Sequence, residues 1–200
     1  MKLLVTGTGR TGTVWLTEAL AAAGAPARHE VAFSLARHGD IPWQCEVSWL
    51  AAPFLPLDPR RVHVVHLVRD PLATIRSRAA WGSFNTNGGH GIDRRIKGNF
   101  ALAHAPAIRA GRTPVERAAL HYVAWNNMIH DRAPRAELAR VEDIDVDTVL
   151  RWARIVQPGA KLKTLPADHK NAAPASPPVT WADVEHVPGL VELAEVYGYR

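Results

Sequence analysis

The stretch Lys2-Leu3-Leu4-Val5-Thr6-Gly7-Thr8-Gly9-Arg10-Thr11-Gly12-Thr13-Val14-Trp15 decides the fold. Lys2 to Thr6 reads as a short buried strand. Gly7, Gly9 and Gly12 then make a tight turn. A helix begins near Thr13, because Leu16, Ala19, Leu20 and Ala23 recur at i, i+3, i+4 and i+7 and form one apolar stripe. Gly24, followed by Ala25-Pro26, stops it. Strand, glycine turn and helix within the first 24 residues are the opening half of a βαβ unit.

Working outward, residues 27–33 hold a second short strand, and Cys45 to Leu55 reads as a helix ended by Leu55-Pro56-Leu57-Asp58-Pro59. Val62-His63-Val64-Val65-His66-Leu67-Val68 is the best strand in the chain, β-branched and bounded by Arg61 and Arg69-Asp70-Pro71. His66 faces opposite to Val65 and Leu67, toward solvent or a backbone carbonyl. Asp70 as N-cap and Pro71 at the first helical position start a helix that runs to about Ala80. The Gly- and Asn-rich stretch from Gly82 to Gly91 is a lid or a surface excursion. Thr113-Pro114-Val115-Glu116 is a capping box, and its helix carries Ala118, Tyr122, Trp125 and Ile129 on one side. A strand at Leu138–Val141, a helix from Asp145 to Val156, a polar connector from Pro166 to Pro178 and a last helical region ending near Tyr197 complete the chain. Alternating strands and helices predict an α/β protein with a largely parallel sheet, one domain over residues 1–200.

Composition agrees. Two hundred residues, 47% of them hydrophobic, suffice for a core. No apolar run approaches the ~18–20 residues that span a bilayer, so no membrane segment is expected. The N-terminal apolar burst is too short for a secretory signal, and one cysteine, Cys45, leaves no internal disulfide, so a cytoplasmic location is expected. The ten histidines show no metal-ligand spacing, so no metal is expected. A net charge of +5 fits an arginine-rich solvated surface, a concave site for a multiply charged ligand, or a nucleic-acid surface.

A strand feeding a glycine turn into a helix start is an anion trap: backbone N–H groups converge there and the helix dipole adds positive potential. Arg10, Thr11 and Thr13 add donors for phosphate or sulfate oxygens. The nucleoside-triphosphatase loop Gly-x-x-x-x-Gly-Lys-[Ser/Thr] begins correctly at Gly7 and Gly12, but Thr13 replaces its lysine and Val14 its magnesium-binding hydroxyl. A dinucleotide fingerprint has glycines at Gly7, Gly9 and Gly12 but lacks its ribose-binding acid at a clear strand end.

Arg10-Thr11-Gly12-Thr13-Val14-Trp15 resembles the 5′-phosphosulfate loop of the sulfotransferase family, a turn of the form Lys/Arg-Ser/Thr-Gly-Thr-Thr-Trp at a helix start. Val14 departs from the second threonine. The family also binds a 3′-phosphate with a strand-end arginine and a serine eight positions later. Arg69 and Ser77 have that spacing. Ser77 lies about 9 Å along the helix from Pro71, within reach of a folded-back arginine. The turn Val141-Glu142-Asp143 after a late strand also fits the family.

The resemblance implies a three-layer α/β/α fold with a central mostly parallel sheet, P-loop NTPase-like. It implies 3′-phosphoadenosine 5′-phosphosulfate as sulfuryl donor, no metal, and a small-molecule or glycan hydroxyl (or amine) acceptor. Gly9, Arg10, Thr11, Gly12, Thr13, Arg69 and Ser77 become donor-binding residues, and Arg10 also stabilises the transition state. Trp15 stands where the family stacks an aromatic on adenine; a core tryptophan is the other reading. For the base, Glu30 holds the position of the glutamate used by the protein-tyrosine and heparan branches. Glu46 holds that of the histidine used by the small-molecule branch, and His29 is a third candidate. Weaker candidates are Trp125-Asn126-Asn127 on the middle helix, and Lys163, His169 and Lys170 where the family's late loop closes. Two other functions stay open on the residues alone: a nucleotide or small-molecule kinase with a degenerate loop, and a non-catalytic nucleotide- or nucleic-acid-binding module. Nucleic acid is not the expected partner, because no aromatic-basic interleaving or recognition helix is present.

Overall fold

The computed structural model describes residues 1–33, 41, 43–82, 84, 92–167 and 177–200. They fall into two compact units. The first comprises Met1–Gly7, Thr11–Val68 and the described residues from Met128 into the late connector. The second comprises Thr8–Arg10, Arg69–Asn127 and the described C-terminal residues.

The first unit holds a five-stranded, all-parallel sheet, and helices flank it, so the protein is α/β as expected. In chain order its strands are β1 (Lys2–Gly7), β2 (Ala27–His29), β3 (Cys45–Val47), β4 (Val62–Val68) and β5 (Glu137–Arg140). Across the sheet the order is β2-β3-β1-β4-β5. The hydrophobic run of β1 is buried on both faces, which a central parallel strand requires. It pairs with β3 through Leu3↔Cys45 and Val5↔Val47, and with β4 through Lys2↔Val62 to Gly7↔Leu67. The chain thus leaves β1 for one side of the sheet and later returns to its other side. Gly7 and Leu67 are in register, so the adjacent strands β1 and β4 end side by side.

Leu3, Val5, Cys45, Val47, Val65 and Leu67 share one face of the sheet. They form a core with Leu16, Ala19 and Leu20 of α1 (Thr13–Ala22) and with Val149, Trp152, Ala153 and Val156 of the late helix Val146–Val156. That late helix starts at Asp145, whose carboxylate accepts from Thr148 N at 2.8 Å. His63 and Arg151 donate to Glu137 on β5, as does Trp152 Nε1 at 3.0 Å, and so tie the helix to the sheet edge.

The second unit is helical. It contains α2 (Pro71–Trp81), α3 (Ile92–His104), α4 (Pro114–Arg132) as far as Asn127, and two short C-terminal helical segments, Trp181–Val184 and Leu190–Val196. Asp70 caps α2 by accepting from Ala73 N, with Pro71 at the first helical position. Ile75, Ala118, Ala119, Tyr122, Val184 and Leu190 pack together as its core. Tyr122 Oη donates to the carbonyl of Arg69 at 3.1 Å, fixing the start of this unit to α4.

Three expectations need correction. Cys45 to Leu55 is not a helix: Cys45–Val47 is β3, and Trp49–Phe54 is a 3₁₀ turn. A short apolar run cannot by periodicity be told from a buried strand, and Pro53 inside the turn bars a regular α-helix. Residues 27–33 do hold a short strand, Ala27–His29, which ends where Glu30 takes a left-handed φ of 55°. His66 does face away from Val65, but it is buried rather than solvated. The capping box before α4 is only half formed: Glu116 N donates to Thr113 Oγ1, while the Glu116 carboxylate accepts from Arg112 N. Most of the stretch from Gly82 to Gly91, and His169 and Lys170, lie outside the described residues.

Candidate functional site

The glycine bend starts at Gly7 for a steric reason. A Cβ there would stand 2.1 Å from the carbonyl oxygen of Leu67, so only glycine lets β1 run this close to the end of β4. Beyond the bend, Gly12 is the N-cap of α1 at φ 89° and contributes no side-chain cap. Thr11 and Thr13 are both buried.

In the first unit, Thr13 Oγ1 lies 3.1 Å from His29 Nε2, and the same nitrogen lies 3.5 Å from a Glu30 carboxylate oxygen. A carboxylate, an imidazole and the hydroxyl of the first residue of α1 thus stand in sequence. The backbone of Glu30 is held from behind. Glu46, fully buried on β3, accepts through Oε1 from Val31 N at 2.8 Å and Ala32 N at 3.2 Å. Its other oxygen, Oε2, is buried and has no hydrogen-bond partner among the described residues. Burial pushes the Glu46 carboxyl up to about 7, with nearby Glu30 adding to the rise, against the two backbone donors that oppose it. Burial and Glu46 also push the Cys45 thiol up to about 12. Cys45 is therefore a protonated core residue, not a nucleophile.

In the second unit, Arg10 takes a left-handed φ of 82°, unusual for a residue with a side chain, and sends its guanidinium to α2. Its Nε donates to Ser77 Oγ at 2.9 Å. Arg69, leaving the end of β4, donates through Nη1 to the backbone carbonyl of Arg10 at 3.2 Å. Burial lowers the affinity of Arg10 for its proton, and the like charges of Arg69 and Arg94 lower it further. Arg10, Arg69 and Ser77, singled out from two separate stretches of sequence, are thus joined by hydrogen bonds.

Other candidates lie elsewhere. Trp15 is 8% exposed, belongs to the core of the first unit, and donates from Nε1 to the carbonyl of Pro166 at 3.0 Å. Trp125 is buried, and Asn126 turns its amide back to the carbonyl of Tyr122. Sequence reasoning missed Trp81, the last residue of α2, which gathers cations including Arg10. The available signal was the i, i+3 spacing of Arg78 and Trp81 one turn beyond Ser77.

No protein-family model, curated protein or solved structure matches the chain. No group of three or more potential metal ligands occurs among the described residues, and none of their helices is long and apolar enough to cross a membrane.

Proposed function

We propose that the protein is a sulfotransferase that moves the sulfuryl group of 3′-phosphoadenosine 5′-phosphosulfate to a hydroxyl or amine. The observation that carries this reading is the meeting of Arg10, Ser77 and Arg69. Two guanidiniums and a hydroxyl, linked by hydrogen bonds within the second unit, have the donor chemistry that phosphate and sulfate oxygens need. The resemblance gives Arg69 and Ser77 the 3′-phosphate, and it gives Gly9, Arg10, Thr11, Gly12 and Thr13 the phosphosulfate end.

The donor supplies the sulfuryl group, whose bond to the bridging oxygen breaks as the acceptor atom bonds to sulfur. Arg10 is permanently charged and offsets the negative charge that develops on the leaving phosphate. Ser77, accepting from Arg10 Nε, orients that guanidinium. Glu30 takes the acceptor proton, with His29 beside it. Glu46 serves as the group that positions the Glu30 turn: the residue is fully buried and its Oε1 is committed to Val31 and Ala32, which leaves it poorly placed to act as the base.

The test is a thermal-shift comparison of 3′,5′-adenosine bisphosphate with AMP and with ATP plus magnesium. Stabilisation is expected with the bisphosphate above the other two and is expected to be lost in Arg69→Ala. An equal response to magnesium-ATP would overturn the reading in favour of a kinase.

A further inference from the structure

In the first unit, two consecutive residues whose side chains would diverge on a strand meet on one nitrogen. His29 closes β2, and neighbouring side chains of a strand point to opposite faces of the sheet. Glu30 escapes that alternation through its left-handed φ of 55°, which is uncommon for a residue with a side chain. Hydrogen bonds from successive backbone N–H groups hold the turn: Glu30 N donates to the Val47 carbonyl at 3.2 Å, and Val31 N and Ala32 N donate to Glu46 Oε1. A Glu30 carboxylate oxygen is thereby placed 3.5 Å from His29 Nε2, on which Thr13 Oγ1 also converges at 3.1 Å.

This convergence decides which imidazole nitrogen carries the proton. An ionised carboxylate can only accept, so it repels a lone pair on Nε2 and attracts an N–H there. Nε2 is therefore protonated, and its hydrogen goes to the nearer oxygen, that of Thr13. A hydroxyl that accepts from His29 keeps its own single hydrogen for another acceptor. Among the described residues Thr13 Oγ1 has no second partner. Acceptors are also lacking nearby: Gly12 supplies no side-chain cap to α1, and the first turn holds no acidic residue. Thr13 is buried, so bulk water does not freely supply one.

We infer that His29 is a positioning residue: by donating Nε2–H to Thr13 Oγ1, it directs the Thr13 hydroxyl hydrogen to a ligand oxyanion at the start of α1. The inference rests on the donor reading above for naming that oxyanion, the 5′-phosphate end of the nucleotide, and on the His29 contacts for its own evidence. A chain running N–H to O–H to oxyanion is cooperative, because each bond polarises the next. With its proton directed to Thr13, Nε2 has no lone pair for the acceptor's proton, and that task stays with Glu30. The other tautomer makes the opposite prediction. Thr13 would then spend its hydrogen on His29, and removing the imidazole would release it for the anion.

The experiment combines heteronuclear NMR of the imidazole nitrogens with calorimetric titration of the whole protein. The probes are 3′,5′-adenosine bisphosphate, adenosine 3′-monophosphate, which lacks the 5′-phosphate, and inorganic pyrophosphate. The His29 signals, assigned by their loss in His29→Gln, are expected to show a protonated Nε2. That resonance is expected to move when the bisphosphate binds wild type but not when it binds Thr13→Val. His29→Leu is expected to weaken the bisphosphate at least about three-fold while adenosine 3′-monophosphate stays within about two-fold. His29→Gln, whose amide N–H replaces Nε2–H, is expected to restore the affinity, and His29→Leu is expected to add nothing to Thr13→Val. A histidine that only supports the fold would weaken both nucleotides alike. An unprotonated Nε2, equal losses for both nucleotides, or unchanged or tighter bisphosphate binding in His29→Leu overturns the inference. Should His29→Leu fail to fold, the wild-type resonance decides, and an Nε2 signal unmoved by the bisphosphate overturns the inference. Wild type that binds neither nucleotide refutes the donor reading. Pyrophosphate binding that still weakens in His29→Leu then upholds the role of His29, and pyrophosphate binding that is absent or insensitive overturns that role as well.

Discussion

Replacing Glu46 by glutamine tests whether a carboxyl sealed under the Glu30 turn resists ionisation. Its pKa rises from the ordinary 4.5 to about 7, with burial the largest cause. Below pH 4.5 the group is protonated in folded and unfolded chains alike and costs nothing. Between 4.5 and 7 the unfolded chain releases the proton that the folded chain retains, so stability falls as pH rises. Above 7 the penalty is complete and constant. At about 1.4 kcal/mol per pH unit, the full penalty is at most about 3.5 kcal/mol. Glutamine keeps an oxygen for Val31 N and Ala32 N but cannot ionise. Its amide nitrogen replaces the unpartnered Oε2 at a cost of about 1–2 kcal/mol, which does not vary with pH. The assay is urea unfolding of both proteins at pH 5 and pH 8.5. The stability of Glu46→Gln relative to wild type is expected to improve by about 2–3 kcal/mol between the two, a relative midpoint shift of roughly 1 M urea. A midpoint difference that is the same at both pH values would refute the reasoning, because no proton would then distinguish the two chains.

Three further predictions concern the rest of the framework. Gly7→Ala forces a methyl onto the Leu67 carbonyl, a backbone atom that cannot move without breaking the β1–β4 ladder; a loss above about 3 kcal/mol is expected in thermal unfolding. Glu137→Gln removes the anchor of His63, Arg151 and Trp152 at the edge of the sheet. Burial raises the Glu137 pKa, but hydrogen bonds from Arg151, His63 and Trp152 outweigh that and hold it down to about 2. Its contribution is therefore present above about pH 4.5 and lost as pH falls toward 2. The variant should be less stable by about 1–3 kcal/mol at pH 7 and indistinguishable from wild type near pH 2, measured by denaturant titration. Glu30→Gln is expected to keep bisphosphate binding and to lower sulfuryl transfer at least 100-fold; transfer at the wild-type rate would remove Glu30 from the role of base.

Much of the framework was readable because its signals are local. The run Lys2–Gly7, the apolar stripe of α1, and Asp70-Pro71 before α2 each specify an element by themselves. β3 was not readable: its three residues become a strand only because β1 and β2 pair with them on either side. The helix α3 escaped notice because Asp93, Arg94, Arg95 and Lys97 interrupt any apolar stripe and Gly98 weakens the propensity. At the candidate site, the spacing of Arg69 and Ser77 was legible, as was Arg10 within the glycine turn. Their hydrogen-bonded association was not, because it depends on the left-handed backbone of Arg10. The Thr13–His29–Glu30 sequence likewise depends on the turn that Glu46 holds.

The order of the sheet bears on how the protein behaves at high concentration. The two outermost strands, β2 and β5, are only three and four residues long. Each offers too few open amide groups to template a foreign chain, and Arg28 and Arg140 place charge on those borders. The long apolar strands that would recruit neighbours, β1 and β4, are enclosed between others. Resistance to fibrillar self-association is thereby built into the arrangement of the strands.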